Sequence, residues 1–174
     1  MSRPGILPDV LAPGLRVVFC GTAASARSAA ERAYYAHPGN RFWPTLHAIG
    51  LLPEPWPAAR YEEVLTLGIG LTDLAKHHSG NDDQLPADAF DRVALEARIR
   101  AHAPGVLAFT SKNAAKGFMG RPVDYGWQQD TLGPTRLYVL CSPSGQARRA
   151  WRIELWQQLA EALPPLPSDG NGQV

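Results

Sequence analysis

Three short runs, RVVFC (residues 16–20), VLAFT (106–110) and LYVLC (137–141), are almost wholly apolar, and each breaks into small or polar residues. Half-buried strands alternate apolar with polar positions, whereas continuous apolar runs of this length belong to strands covered on both faces, as in parallel sheets. Helix-compatible segments lie between the runs, so the chain reads as α/β, a mostly parallel sheet between helical layers joined by right-handed crossovers. With 174 residues and 45% hydrophobic content, a single core suffices. The expected organisation is a flexible lead-in over residues 1–14, one domain over 15–163 and a disordered tail over 164–174.

Between the strands, residues 22–32 are rich in Ala and Ser and suit a helix or a close-packed loop. Phe42, Leu46 and Ile49 recur at helical spacing, and Asn40 stands where a cap belongs. Pro53, Pro55 and Pro57 mark a connection, and residues 61–67 a helical turn. GIGLTDLA (68–75) is a glycine-punctuated apolar stretch holding the polar pair Thr72 and Asp73, and residues 77–86 read as a polar loop. Asp88 begins an expected helix to His102 with Phe90, Val93, Ala94, Ala97 and Ala101 on its apolar side, and Pro104 stops it. Residues 111–119 suit a helix ended by Gly120. Residues 125–136 suit an edge hairpin around Gly133-Pro134. Trp151, Leu155 and Leu159, with Trp156 and Leu163, outline a closing amphipathic helix.

A formal net charge of +1 neither indicates nor excludes a nucleic-acid partner, because a local basic face is compatible with a neutral total. Two cysteines, Cys20 and Cys141, end apolar runs as buried thiols do. The absence of a CxxC or His/Cys cluster from the sequence speaks against a structural zinc or an iron–sulfur cluster. MSRPGILPDVLAPG has no charged segment followed by an apolar core, and no run approaches bilayer length. A soluble, cytoplasmic, monomeric protein with no cofactor is expected.

The unusual residues gather after the strands, at 21–25, 111–113 and 142–149. In a parallel sheet these segments share one edge, where ligands bind. VFCG followed by YYAHPGNRFW, then GIGLTDLA, LAFTSKNAAKGF and VLCSPSGQAR, resembles the ordered motifs of the mismatch-specific uracil-DNA glycosylase and thymine-DNA glycosylase family, within the uracil-DNA glycosylase superfamily. The resemblance spans residues 17–151, and AHPGNRFW is its most specific block. It implies a three-layer α/β/α sandwich that flips uracil or another deaminated base out of DNA and hydrolyses its N-glycosidic bond without a metal. Flipping costs a few kcal/mol and is easiest at a mismatch.

By that resemblance Tyr35 stacks on the flipped base, and Gly21, Thr22, Ala23 and Ser142 border it. His37 and Asn40 either read its polar edges or fix the loop. Lys112, Ser144, Gly145, Gln146 and Arg148 are the DNA contacts, with Gln146 where the family places an apolar wedge and Arg148 meeting phosphate. Ser144 is alternatively a helix cap, and SPSG lacks the G-x-S-x-G spacing of a hydrolase nucleophile. One departure stands out: the family has GINPG where this chain has GTAAS, so the asparagine that positions water is replaced by Ala23. The reaction still needs water held or deprotonated and an anionic base stabilised. Asp73 is the leading substitute, with Ser25 assisting through its hydroxyl. A binder of damaged or mismatched DNA without catalysis is the alternative that this departure raises.

Overall fold

The structure, a computed structural model, describes residues 6–86 and 88–166. Strands β1 (Val17–Ala24), β2 (Ile69–Ser79), β3 (Val106–Phe109), β4 (Gly126–Leu132) and β5 (Thr135–Val139) form one sheet in the order β2-β1-β3-β5-β4. All neighbours are parallel except the β4–β5 hairpin. Helices α1 (Ala26–Glu31), α2 (Phe42–Ala48), α3 (Arg92–His102), α4 (Lys112–Met119) and α5 (Ile153–Ala162) flank it.

Alternation along the central strands divides the core in two. Val17 and Phe19 of β1, Val106 and Ala108 of β3, and Tyr138 join Phe42 and Leu46 of α2 and Trp156 and Leu159 of α5. Val18 and Cys20, Leu107 and Phe109, and Leu137 and Val139 turn the other way, onto Leu95 and Ile99 of α3 and Ala114 and Phe118 of α4. This is the three-layer α/β/α sandwich with a mostly parallel sheet, and its two-sided burial explains why the strand sequences are continuously apolar.

Several elements depart from the reading of the sequence. β1 does not end at Gly21 but pairs onward with β2, Gly21 opposite Asp73 and Ala23 opposite Ala75. Residues 69–75 of GIGLTDLA are the buried first part of β2, and the strand continues into the expected polar loop, meeting β1 again at Ser79 after a bulge. Residues 6–14 are not a loose lead-in. Leu7 and Val10 are buried, and Val10 exchanges two backbone hydrogen bonds of 2.9 Å with Leu71. Those bonds cover the outer edge of β2, which would otherwise present unsatisfied amides.

Helix α3 starts later than Asp88, because Asp91 is its cap, its carboxylate accepting the Ala94 N–H at 2.9 Å. Its inward face carries Leu95 and Ile99, while Val93 is 81% exposed. The two larger side chains bury more apolar area than the Val and Ala face that the spacing suggests. Pro164 accepts a hydrogen bond from Arg16 at 2.7 Å, so the start of the expected tail is tied down. Residues 167–174 of that tail, and 1–5 of the lead-in, lie outside the described residues.

Candidate active site

The carboxyl ends of β1, β2, β3 and β5 surround a cleft of about 550 Å³. Gly21 is part of its lining. A Cβ there would lie 3.0 Å from Asp73 Oδ1 and 3.4 Å from both Thr110 Oγ1 and the Tyr35 hydroxyl, so the glycine is what lets three polar side chains crowd one backbone position.

Asp73 forms the floor and is 5% exposed. Burial pushes its carboxyl up to about 6; Asp9 adds to this, while Lys76, Arg98 and the Gly21 N–H oppose it. Desolvation wins because the cations are committed elsewhere. Lys76 Nζ and Arg98 Nε lie 2.9 and 3.2 Å from the Asp9 carboxylate, and Arg98 donates to the Asp73 backbone carbonyl at 3.1 Å.

Tyr35 adopts a left-handed backbone, φ +52°, a costly conformation for a non-glycine residue. It aims the ring into the cleft edge, where it stacks on Phe42 with centroids 3.9 Å apart and planes at 19°. Its hydroxyl pairs with Thr110 Oγ1 at 3.2 Å, and burial, followed by the nearby Asp73, raises the phenol well above its ordinary range. Phe42 is thus the rigid backing of the Tyr35 plate as well as a core residue.

Of the anticipated site residues, Gly21, Thr22, Ala23, Ser25, Tyr35, Asn40, Asp73, Ser142, Ser144 and Gln146 line the cleft. Asn40 Oδ1 accepts the Phe42 N–H at 2.9 Å and so fixes the start of α2. Ser25 caps α1 by accepting the Ser28 N–H at 3.0 Å. Ser142 and Ser144 each accept a backbone N–H two residues on, at 3.2 Å. Ser144 caps no α-helix, because a 3-10 turn at Arg148–Ala150 follows.

Four residues are not in the cleft lining. His37 Nδ1 accepts the Gly39 N–H at 2.9 Å, the loop-fixing alternative of the two open for it. Lys112 leans over the Tyr125 ring at 4.3 Å. Arg148 begins the 3-10 turn outside the cleft. Gly145 lies against the AHPGN loop, where a Cβ would come 2.9 Å from the Gly39 carbonyl oxygen. The Arg41 N–H reinforces that contact by donating to Pro143 O at 2.8 Å.

Sequence reasoning missed Thr110 and Asp82, and it marked residues 111–113 only as a segment, with no role for Asn113. Thr110 follows an apolar strand and faces Tyr35 and Gly21. Asp82 sits in a 3-10 turn after β2 and accepts from Thr22 Oγ1 and from Asn113 Nδ2, each at 2.7 Å. The one signal for it was the polar stretch NDDQ directly after a strand that runs to the binding edge. Among the described residues, no three His, Cys, Asp or Glu side chains come together as a metal-binding group, and no helix is long and apolar enough to cross a membrane.

The fold is shared with a solution NMR structure of a candidate uracil DNA glycosylase from Methanosarcina acetivorans. The two align with a TM-score of 0.58 at 23% identity, over 93% of this chain and 96% of that one. Residues 8–160 match the uracil DNA glycosylase superfamily, a span that takes in the whole sheet and all of the cleft lining but Leu7. On that match the chain belongs to the uracil DNA glycosylase superfamily.

Proposed function

We propose that the protein is a monofunctional DNA glycosylase that accepts a flipped uracil or related deaminated base and hydrolyses its N-glycosidic bond, initiating base excision repair. The observation that carries this reading is the buried Asp73 carboxyl beside Gly21 and the Phe42-backed Tyr35 ring, at the floor of a cleft formed by the strand ends. A flat ligand with polar edges matches that floor. Stacking on Tyr35 contributes about 1–3 kcal/mol, Asp73 meets the polar edge of the base, and its negative charge favours the oxocarbenium-like sugar.

Ser25, Ser142 and the backbone of residues 22–25 complete the base surround. Gln146 replaces the flipped base in the stack, and Lys112 and Arg148 pair with phosphates. The family's mismatch preference fits this reading, since an already weakened pair lowers the cost of flipping. The protein acts as a monomer with no metal or other cofactor.

The experiment is release of free base from labelled uracil- and hypoxanthine-containing oligonucleotides, in single and double strands, read as an alkali-labile abasic site. Release from at least one is expected. Ala23 in the cleft supports a second reading, a damage-binding protein without turnover, which predicts tight, salt-dependent binding and no free base.

A further inference from the structure

With Ala23 in the cleft wall, some other group must hold the attacking water, and we propose that Asp82 does so, positioned by Thr22 and Asn113. The inference rests on the glycosylase reading and adds a catalytic residue to it.

Depth within the cleft separates the two carboxylates. A flipped nucleotide enters base first, so the base reaches the floor, where Asp73 is 5% exposed. The sugar stays joined to the DNA backbone, and its C1′ carbon remains nearer the mouth. Asp82 is exposed and lines the cleft from the turn after β2. The carboxylate nearer the mouth is therefore the one suited to water at C1′, and the floor carboxylate is suited to the base.

The hydrogen bonds at Asp82 fix what each partner offers. An ionised carboxylate only accepts, so the Thr22 hydroxyl and the Asn113 amide nitrogen must both be donors; both contacts are 2.7 Å. The Thr22 oxygen and Asn113 Oδ1 are then left as acceptors, and each Asp82 oxygen keeps a further lone pair. Thr22, Asn113 and Asp82 all line the cleft. Water presented to such a set gives its protons to the protein and turns an oxygen lone pair toward the sugar. Thr22 is joined to Asp82 across 60 residues and Asn113 across 31, so the carboxylate is held between β1 and α4 instead of swinging freely. The methyl side chain of Ala23, next to Thr22, leaves room beside it.

In the step this implies, the water oxygen forms a bond to C1′ as the C1′–N bond breaks. The bonding pair leaves on the base, a water proton passes to the Asp82 carboxylate, and that proton is then released to the base anion or to solvent. The products are free base and an abasic sugar. Until the proton arrives, the Asp82 charge also faces the developing sugar cation.

The test is single-turnover base release by Asp82→Asn and Asp82→Ala, alongside their affinity for a duplex carrying a non-hydrolysable 2′-fluorinated nucleotide. Asp82 is exposed and outside the core, so both variants are expected to fold. The expected result is a loss of about 10²–10⁴-fold in rate, with affinity within about threefold of the unaltered protein. Formate should restore at least part of the rate to Asp82→Ala, since a small carboxylate can replace the missing base, and should leave Asp73→Ala unimproved. A rate for Asp82→Asn within threefold of the unaltered protein overturns the proposal. So does a loss that formate leaves unrestored, which assigns Asp82 to holding the loop. Absence of base release by the unaltered protein removes the glycosylase reading itself, and the proposal with it.

Discussion

At the scale of single residues, Asp73 links stability to pH. Its carboxyl sits at about 6 in the fold against an ordinary 3.8, so the folded state holds the proton more tightly than the unfolded chain. Below about pH 4 both states are protonated and no cost arises. As pH rises from 4 to 6 the unfolded chain ionises first, and stability falls, by on the order of 3 kcal/mol once both have ionised. Asp73→Asn should therefore be more stable than the natural protein at pH 7, with the advantage vanishing toward pH 4, as read by urea denaturation of both proteins across that range. A difference that is independent of pH would contradict this origin. Tyr35 makes a separate prediction: Tyr35→Phe keeps the plate stacked on Phe42, while Tyr35→Ala should weaken binding of base-flipped DNA by about 10-fold or more, within the range for stacking. Tyr35, Asn40 and Asp73 were legible in the sequence because each stands in or beside a motif. Asp82 was not, and Asn113 stood in the segment 111–113 without a role, because the contacts of Asp82 with Thr22 and Asn113 cross 60 and 31 residues and no local pattern records such a meeting.

Among the elements, the strands were the most legible part, since two-sided burial writes itself as an unbroken apolar run. Gly21 was misread as a terminator because a glycine in a strand usually signals a break. Its role is close approach, within a strand that keeps pairing. Helix α3 was misread in its face, as Ala and Val spacing competed with the larger Leu95 and Ile99. The coupling of two loops, AHPGN and SPSG, emerges only from the fold. Gly145 packs so closely on Gly39 that a side chain at 145 needs one loop to move. Gly145→Ala should lower base release and DNA affinity together by about 10-fold while changing the unfolding free energy by only about 1 kcal/mol, because the displaced segment is at the surface. Parallel release, binding and denaturation measurements decide this, and an unchanged DNA affinity would rule out the coupling.

For the molecule as a whole, the net charge of +1 leaves out where the fold places individual cations. Arg41 lies over Trp151, and Lys112 and Arg152 over Tyr125, with Arg148 and Arg149 in the turn that follows SPSG. These cation–aromatic pairs suit a phosphate backbone, whereas Asp82 and Asp83 in the cleft lining do not. Replacing Arg148 and Arg149 together by Ala should weaken binding of matched and damaged DNA alike and reduce the salt dependence, log K against log salt, by about 1.8 for two lost phosphate contacts. These pairings were invisible in composition because they depend on which segments the fold brings together.

The central claim is that the cleft at these strand ends is where a deaminated base is cut from DNA. Its most direct test is single-turnover release of uracil and hypoxanthine by the natural protein and by Asp73→Asn, with binding to the same oligonucleotides measured in parallel. Release by the natural protein is expected, with a loss of about 10²-fold or more in Asp73→Asn and binding retained. Equal release by the two proteins, or binding without release by either, would contradict it.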